Sequence, residues 1–140
     1  MTQQEPENFE QFMKRRQAAA RAYVRGDSGP VVEMSTRTAP ATFFAPLGGT
    51  RRGAGEVIQT YQRDATMFTA EGDTQLEILQ TGSSSDIGYW VGLQHAVVRM
   101  QGADKPMAMD LRVTEIFRRA EGVWMLVHRH ADTLVDSPKS

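Results

Sequence analysis

Apolar positions along this chain change their period once, near residue 70. Before that point they recur every three or four residues, and after it they alternate. In "NFEQFMKRRQAAARAYVRGD" (8–27), Phe9, Phe12, Met13, Ala20 and Tyr23 trace a helical stripe. Asn8 and Gln11 have the spacing of a capping box, and Gly26 is a natural stop. Residues 27–36, "DSGPVVEMST", predict a second short helix with Pro30 in its first turn, where its missing N–H is not needed. A third helix is predicted over 53–68, with Ala54, Val57, Ile58, Tyr61, Ala65 and Phe68 on one face. Between them, "APATFFAPLGGT" (39–50) is broken by Pro40, Pro46 and a Gly-Gly pair, which suits irregular chain or a short edge strand.

From residue 74 the alternation predicts strands at 74–81, 86–101, 107–119 and 123–132, separated by "GSSSD", "GADKP" and "AEG". Helices followed by a meander of long strands is the order of an α+β fold with an antiparallel sheet. A chain of 140 residues suits one core. The domain is placed at 8–132, with 1–7 and 133–140 as flexible tails.

The last hairpin sets a register. A three-residue "AEG" loop with Gly122 left-handed would give a bulge beside the turn and paired residue numbers with an even sum. Leu111, Val113, Glu115 and Phe117 then share a face with Met125, Val127, Arg129 and Ala131. The other face carries Asp110, Arg112, Thr114 and Ile116 with Trp124, Leu126, His128 and His130. The first face is the more apolar, so it is assigned to the concave, helix-covered side. It encloses one opposed pair of charges, Glu115 and Arg129.

Charge and composition remove several function classes. Sixteen basic and seventeen acidic residues leave a net charge of -1, no footprint for nucleic acid or an anionic membrane. The absence of cysteine excludes disulfides, thiolate catalysis and cysteine-type zinc sites. No apolar run approaches the ~20 residues of a membrane span. The acidic start "MTQQEPENFEQ" is unlike a signal peptide, so a cytoplasmic location is expected. His128 and His130 in "VHRHAD" have a metal-ligand spacing, with His95 on a neighbouring strand. On the assigned register they face away from the concave side and read as interface polar groups, so neither metal nor cofactor is expected. "KRR" (14–16) reads as a solvated helix face, and "GAGE" as a helix start rather than a phosphate cradle.

"YVRGD", "FFAPLGGTRRGAGEVIQTY" and "RVTEIFRRAEGVWMLVHRHAD" resemble the nuclear transport factor 2-like superfamily over about residues 8–132. The last stretch is most similar to SnoaL-like proteins and to the association domain of calcium/calmodulin-dependent protein kinase II. The resemblance implies a cystatin-like α+β cone, with three N-terminal helices packed in a curved, mostly antiparallel sheet around a pocket. That fold carries isomerases, cyclases, dehydratases, epoxide hydrolases and association modules, so fold alone does not give activity. The tyrosine, base and donor aspartate of the ketosteroid isomerases match Ala19, Ala45 and Thr114, so their reaction is not expected here. The pocket arginines of the kinase association domain match Gln94, Glu115 and Ala131. The match places Trp90 and Gln94 in the pocket; Tyr61 and Phe44 complete the candidate ligand contacts.

Two classes of function remain. The first is a SnoaL-like pocket protein for a small cyclic or aromatic molecule. Glu115, paired with Arg129, would act there as the acid–base group for proton transfer, cyclisation or dehydration. An enzymatic runner-up uses the other face, where Asp110, Arg112, His130 and Asp132 resemble the water-activating Asp–Arg–Asp set of limonene-type epoxide hydrolases. The second class is a non-catalytic homo-oligomeric association or binding module. A homodimer is expected in either case. Strand 86–101 is apolar on both sides, with Trp90, Ala96 and Val98 against Ile87, Tyr89, Val91, Leu93 and Val97, and the helices cover only one.

Overall fold

The computed structural model describes residues 7–135. Helix α1 spans Phe9–Val24 and starts at a complete capping box. Asn8 Oδ1 accepts from the Gln11 N–H at 2.7 Å, and Gln11 Oε1 from the Asn8 N–H at 3.0 Å. It stops before Gly26, whose φ of +92° costs glycine little. Helix α2, Gly29–Glu33, is shorter than predicted because the chain then turns onto the sheet. The Leu126 N–H donates to Met34 O at 2.8 Å, and the Thr36 N–H to Leu126 O at 3.0 Å. Helix α3 spans Ala54–Ala65 and buries Val57, Thr60, Tyr61 and Ala65.

Six strands form one sheet: β1 (Thr42–Phe44), β2 (Thr50–Arg52), β3 (Asp73–Ser83), β4 (Ile87–Val98), β5 (Met107–Ala120) and β6 (Val123–Thr133). Their order is β2-β1-β6-β5-β4-β3, with β1 parallel to β6 and all other pairs antiparallel. Segment 39–50 therefore holds more than one short edge strand. It supplies β1, inside the sheet, and leads into β2, which is one of the two edges. Residues next to the expected limits also make contacts. Thr133 belongs to β6, the Leu134 N–H donates to Asp110 O at 2.9 Å, and Glu7 O accepts from Trp124 Nε1 at 3.1 Å and from Arg119. Val135 follows, exposed, and residues 1–6 and 136–140 of the predicted tails lie outside the described residues.

The β5–β6 hairpin corrects the predicted register in part. Its loop has two residues, Glu121 and Gly122, with φ of 53° and 79°, as a type I′ turn requires. Val127 is then an unpaired bulge residue: Ile116 pairs with His128, and Phe117 with Leu126. The shorter loop and the bulge offset each other. Beyond the bulge the pairing follows the sequence reading, with Glu115 opposite Arg129 and Val113 opposite Ala131. Between loop and bulge the faces are exchanged, so Trp124 and Leu126 are buried while Met125 and Val127 are only partly covered.

That exchange has a packing reason. Trp124 joins Phe9, Phe12 and Phe117 at one end of the core, with ring centroids 5.1 Å apart for Phe9–Trp124 and 4.9 Å for Phe12–Phe117. Such edge-on aromatic contacts add to the area they bury. Gly88 makes the space for this cluster, since a Cβ there would lie 2.5 Å from the Phe9 ring. A second bulge, between Ile78 and Gln80 in β3, bends the sheet opposite Gly92. The curved sheet presents its concave face to α1, and the polar site described next is built between them.

Candidate functional site

Alternation along β4 points Trp90, Gln94, Ala96 and Val98 inward, and along β5 it does the same for Leu111, Val113, Glu115 and Phe117. Glu115 is a carboxylate on an otherwise apolar stripe, and it is completely buried. Its oxygens accept four hydrogen bonds. Arg16 forks onto it from α1, with Nε to Oε1 at 2.9 Å and Nη2 to Oε2 at 2.8 Å. Arg129 Nη1 reaches Oε2 from β6 at 2.8 Å, and Trp90 Nε1 donates to Oε1 at 2.7 Å. Arg129 Nη2 also donates to Gln94 Oε1 at 2.9 Å. Four elements, α1, β4, β5 and β6, thus meet in one buried cluster.

The electrostatics follow from that geometry. Burial alone would raise the Glu115 carboxyl, but the charges of Arg16 and Arg129 and their hydrogen bonds outweigh it and hold the pKa at about 2. Two guanidinium groups share one carboxylate, so one positive charge is left unneutralised.

Above the cluster lies a cavity of about 740 Å³. Arg16, Arg129, Gln94 and Tyr61 form its polar end; Tyr23, Phe43, Phe68, Met109 and Leu111 line its sides. Asp64 and Asp110 also border it, both partly exposed. Glu115 and Trp90 are not among the lining residues and stand behind the two arginines.

Residues 15–135 match the model of the SnoaL-like domain. The chain belongs to the SnoaL-like family. Solved structures with the same fold include a nuclear transport factor 2-like protein from Salmonella enterica serovar Typhimurium, at 12% identity and a TM-score of 0.74 over 90% of this chain and 88% of that one. A Streptomyces avermitilis protein of that family, provisionally named a dehydratase, matches at 19% identity and TM-score 0.73, covering 91% and 96% of the two chains. The hub of calcium/calmodulin-dependent protein kinase II from S. rosetta matches at 16% and 0.70, covering 92% and 99%. These likenesses show the cystatin-like α+β fold. No curated protein matches the sequence.

The SnoaL-like frame brings some of the predicted site residues together and separates others. Glu115, Arg129, Gln94 and Tyr61 converge on the polar end of the cavity. Trp90 is adjacent but touches the cluster rather than the cavity. Phe44 is corrected: it is exposed on the outer face, edge-on to His128 and His130, because its parallel register with β6 sets it beside His130 and sets Phe43 beside Arg129. Phe43 takes the place predicted for Phe44.

The runner-up group does not assemble on one site. Arg112 forks onto Asp132 at 2.7 and 2.8 Å on the outer face, and His130 borders the same shallow groove. Asp110 instead lies 3.5 Å from His95 Nδ1, whose Nε2 is 3.0 Å from Glu77. His128 Nδ1 is 2.7 Å from Thr42 Oγ1, and burial, followed by His130, lowers its pKa. Among the described residues no His, Asp and Glu group is arranged to hold a metal ion. No helix among them is long and apolar enough to cross a membrane.

Arg16 is the residue that the sequence reading missed. "KRR" was expected to be a solvated face, yet Arg16 is only 3% exposed. The signal was present in the spacing. Position 16 follows Phe12 by four and Met13 by three and precedes Ala19 and Ala20 by the same steps, so it lies in the middle of the buried stripe.

Proposed function

We propose that this chain is a pocket protein that binds a small organic molecule with a ring-bearing, largely apolar body. The observation that carries the reading is the cavity of about 740 Å³ between apolar walls and a buried ionic end, within the usual size range of small-ligand sites. Arg129, Gln94 and Tyr61 contact the ligand, and Glu115 positions the two arginines. The geometry argues against Glu115 as the acid–base group. Its four acceptor positions are all taken, its pKa of about 2 makes it a weak base, and it stands behind the cavity wall. Dehydration, named for one structural neighbour, needs a base with a free lone pair facing the ligand. Among the lining residues only Asp64 and Asp110 carry carboxylates.

Self-association is part of the same proposal, favoured by the outer sheet face. Val91, Leu93 and Ile116 are half-buried there, with Leu79, Ile87 and Val97 exposed around them. An apolar stripe of this kind is covered most simply by a second copy in a twofold contact.

One experiment reads both parts. Native mass spectrometry of the protein, alone and with a panel of cyclic and aromatic compounds, should show a dimer and retained ligand. Ala96→Phe, which fills the cavity from β4, should abolish retention while leaving the dimer. A panel with no retained compound at near-millimolar concentration contradicts the pocket; a monomer at micromolar protein contradicts the interface.

A further inference from the structure

Two hydrogen-bond donors at the polar end have no acceptor among the described residues. Arg16 spends Nε and Nη2 on Glu115, which leaves Nη1 buried and unpartnered, and the Tyr61 hydroxyl is in the same condition. Both side chains line the cavity. Native interiors leave few buried donors unsatisfied, and those that remain call for an explanation. Here the explanation coincides with the charge count. The cluster holds two guanidinium groups and one carboxylate, so the orphaned donors lie where one positive charge is uncompensated.

Resting on the reading of the cavity as a binding site, we propose that its ligand is a small organic monoacid. Its carboxylate seats against Arg16 Nη1 and the Tyr61 hydroxyl, and its apolar body lies along Tyr23, Phe43, Phe68 and Leu111. A carboxylate offers two acceptor oxygens to two free donors and supplies the one missing negative charge. A neutral head group leaves that charge bare, a cation adds to it, and a dianion such as a phosphate monoester exceeds it. Burial raises the pKa of Tyr61, so its phenol stays protonated and able to donate across the working range of pH. Asp64 and Asp110 do not supply the counter-charge. They sit partly exposed at the border of the cavity, with Arg63 3.6 Å from Asp64 and His95 3.5 Å from Asp110.

The test is calorimetric titration of the full chain with three acids of different body, 3-phenylpropanoate, cyclohexanecarboxylate and indole-3-acetate, each beside its primary amide. At least one acid should bind about tenfold or more tightly than its amide, the margin expected of a charge-assisted hydrogen bond. Tyr61→Phe, which removes a hydroxyl that has no partner among the described residues, should fold normally and weaken the acid several-fold, leaving the part of the margin that the arginine charge supplies. Arg16→Lys should weaken the acid further while keeping a cation beside Glu115. Amides binding as well as acids, or an acid affinity unchanged by both Tyr61→Phe and Arg16→Lys, overturns the monoacid and leaves the pocket standing. Failure of all six compounds overturns both readings.

Discussion

Two of the arginine–carboxylate forks among the described residues, one on each face of the sheet, have nearly identical geometry in opposite surroundings. On the concave face Arg16 meets Glu115 at 2.9 and 2.8 Å; on the outer face Arg112 meets Asp132 at 2.7 and 2.8 Å. The inner side chains are 4% and 0% exposed, the outer ones 63% and 37%. Distance therefore does not distinguish them. The surrounding medium does, because attraction between charges weakens as water enters. The inner fork is also tied to Arg129 and Trp90, whereas the outer one joins two neighbouring strands and nothing else. One fork organises a site; the other decorates a surface.

Breaking the inner fork should have the largest effect. Glu115→Gln strands two buried guanidinium groups, and removing one partner of a buried ion pair typically costs ~3–5 kcal/mol. Urea unfolding of the variant should show a loss of that order, and stability close to wild type would place the cluster in water. The outer fork gives the small effect. Asp132→Asn should leave the unfolding midpoint at its wild-type value within replicate scatter, because exposed pairs contribute little. A loss rivalling that of Glu115→Gln would mean that the second copy proposed for the outer face desolvates this pair instead of leaving it at the wet rim of the contact.

Much of this contrast was legible in the sequence, for reasons that can be located. Strict alternation along β4 and β5 told inner from outer face, so Glu115 stood out as a charge on an apolar stripe. Its opposition to Arg129 followed from hairpin pairing, although the loop is one residue shorter than predicted and Val127 takes up the difference. A bulge of this kind leaves no mark in the alternation, which is why Trp124 and Leu126 were assigned to the wrong face. Phe43 and Phe44 were indistinguishable for another reason. Their orientation depends on a parallel pairing with β6, far along the chain, and three residues are too few to show a period. Arg16 was readable from its spacing, but its charge argued for solvent, and only the buried carboxylate reverses that argument. The orphaned donors have no sequence signature, because they are defined by the partners they lack.

The state of the Glu115 carboxyl is the central claim, and a carbon-13 NMR titration of labelled side-chain carboxyls measures it directly. Its folded pKa lies below the ordinary 4.5, so the stability it contributes is fully present above about pH 4.5 and is lost as pH falls through about 2. The Glu115 resonance should stay that of a carboxylate down to the lowest pH at which the protein remains folded, and the stability gap between wild type and Glu115→Gln should close over the same window. A Glu115 resonance that titrates at pH 4.5 or above would contradict the account. It would show a carboxyl free to exchange protons, and return Glu115 to the role of acid–base catalyst.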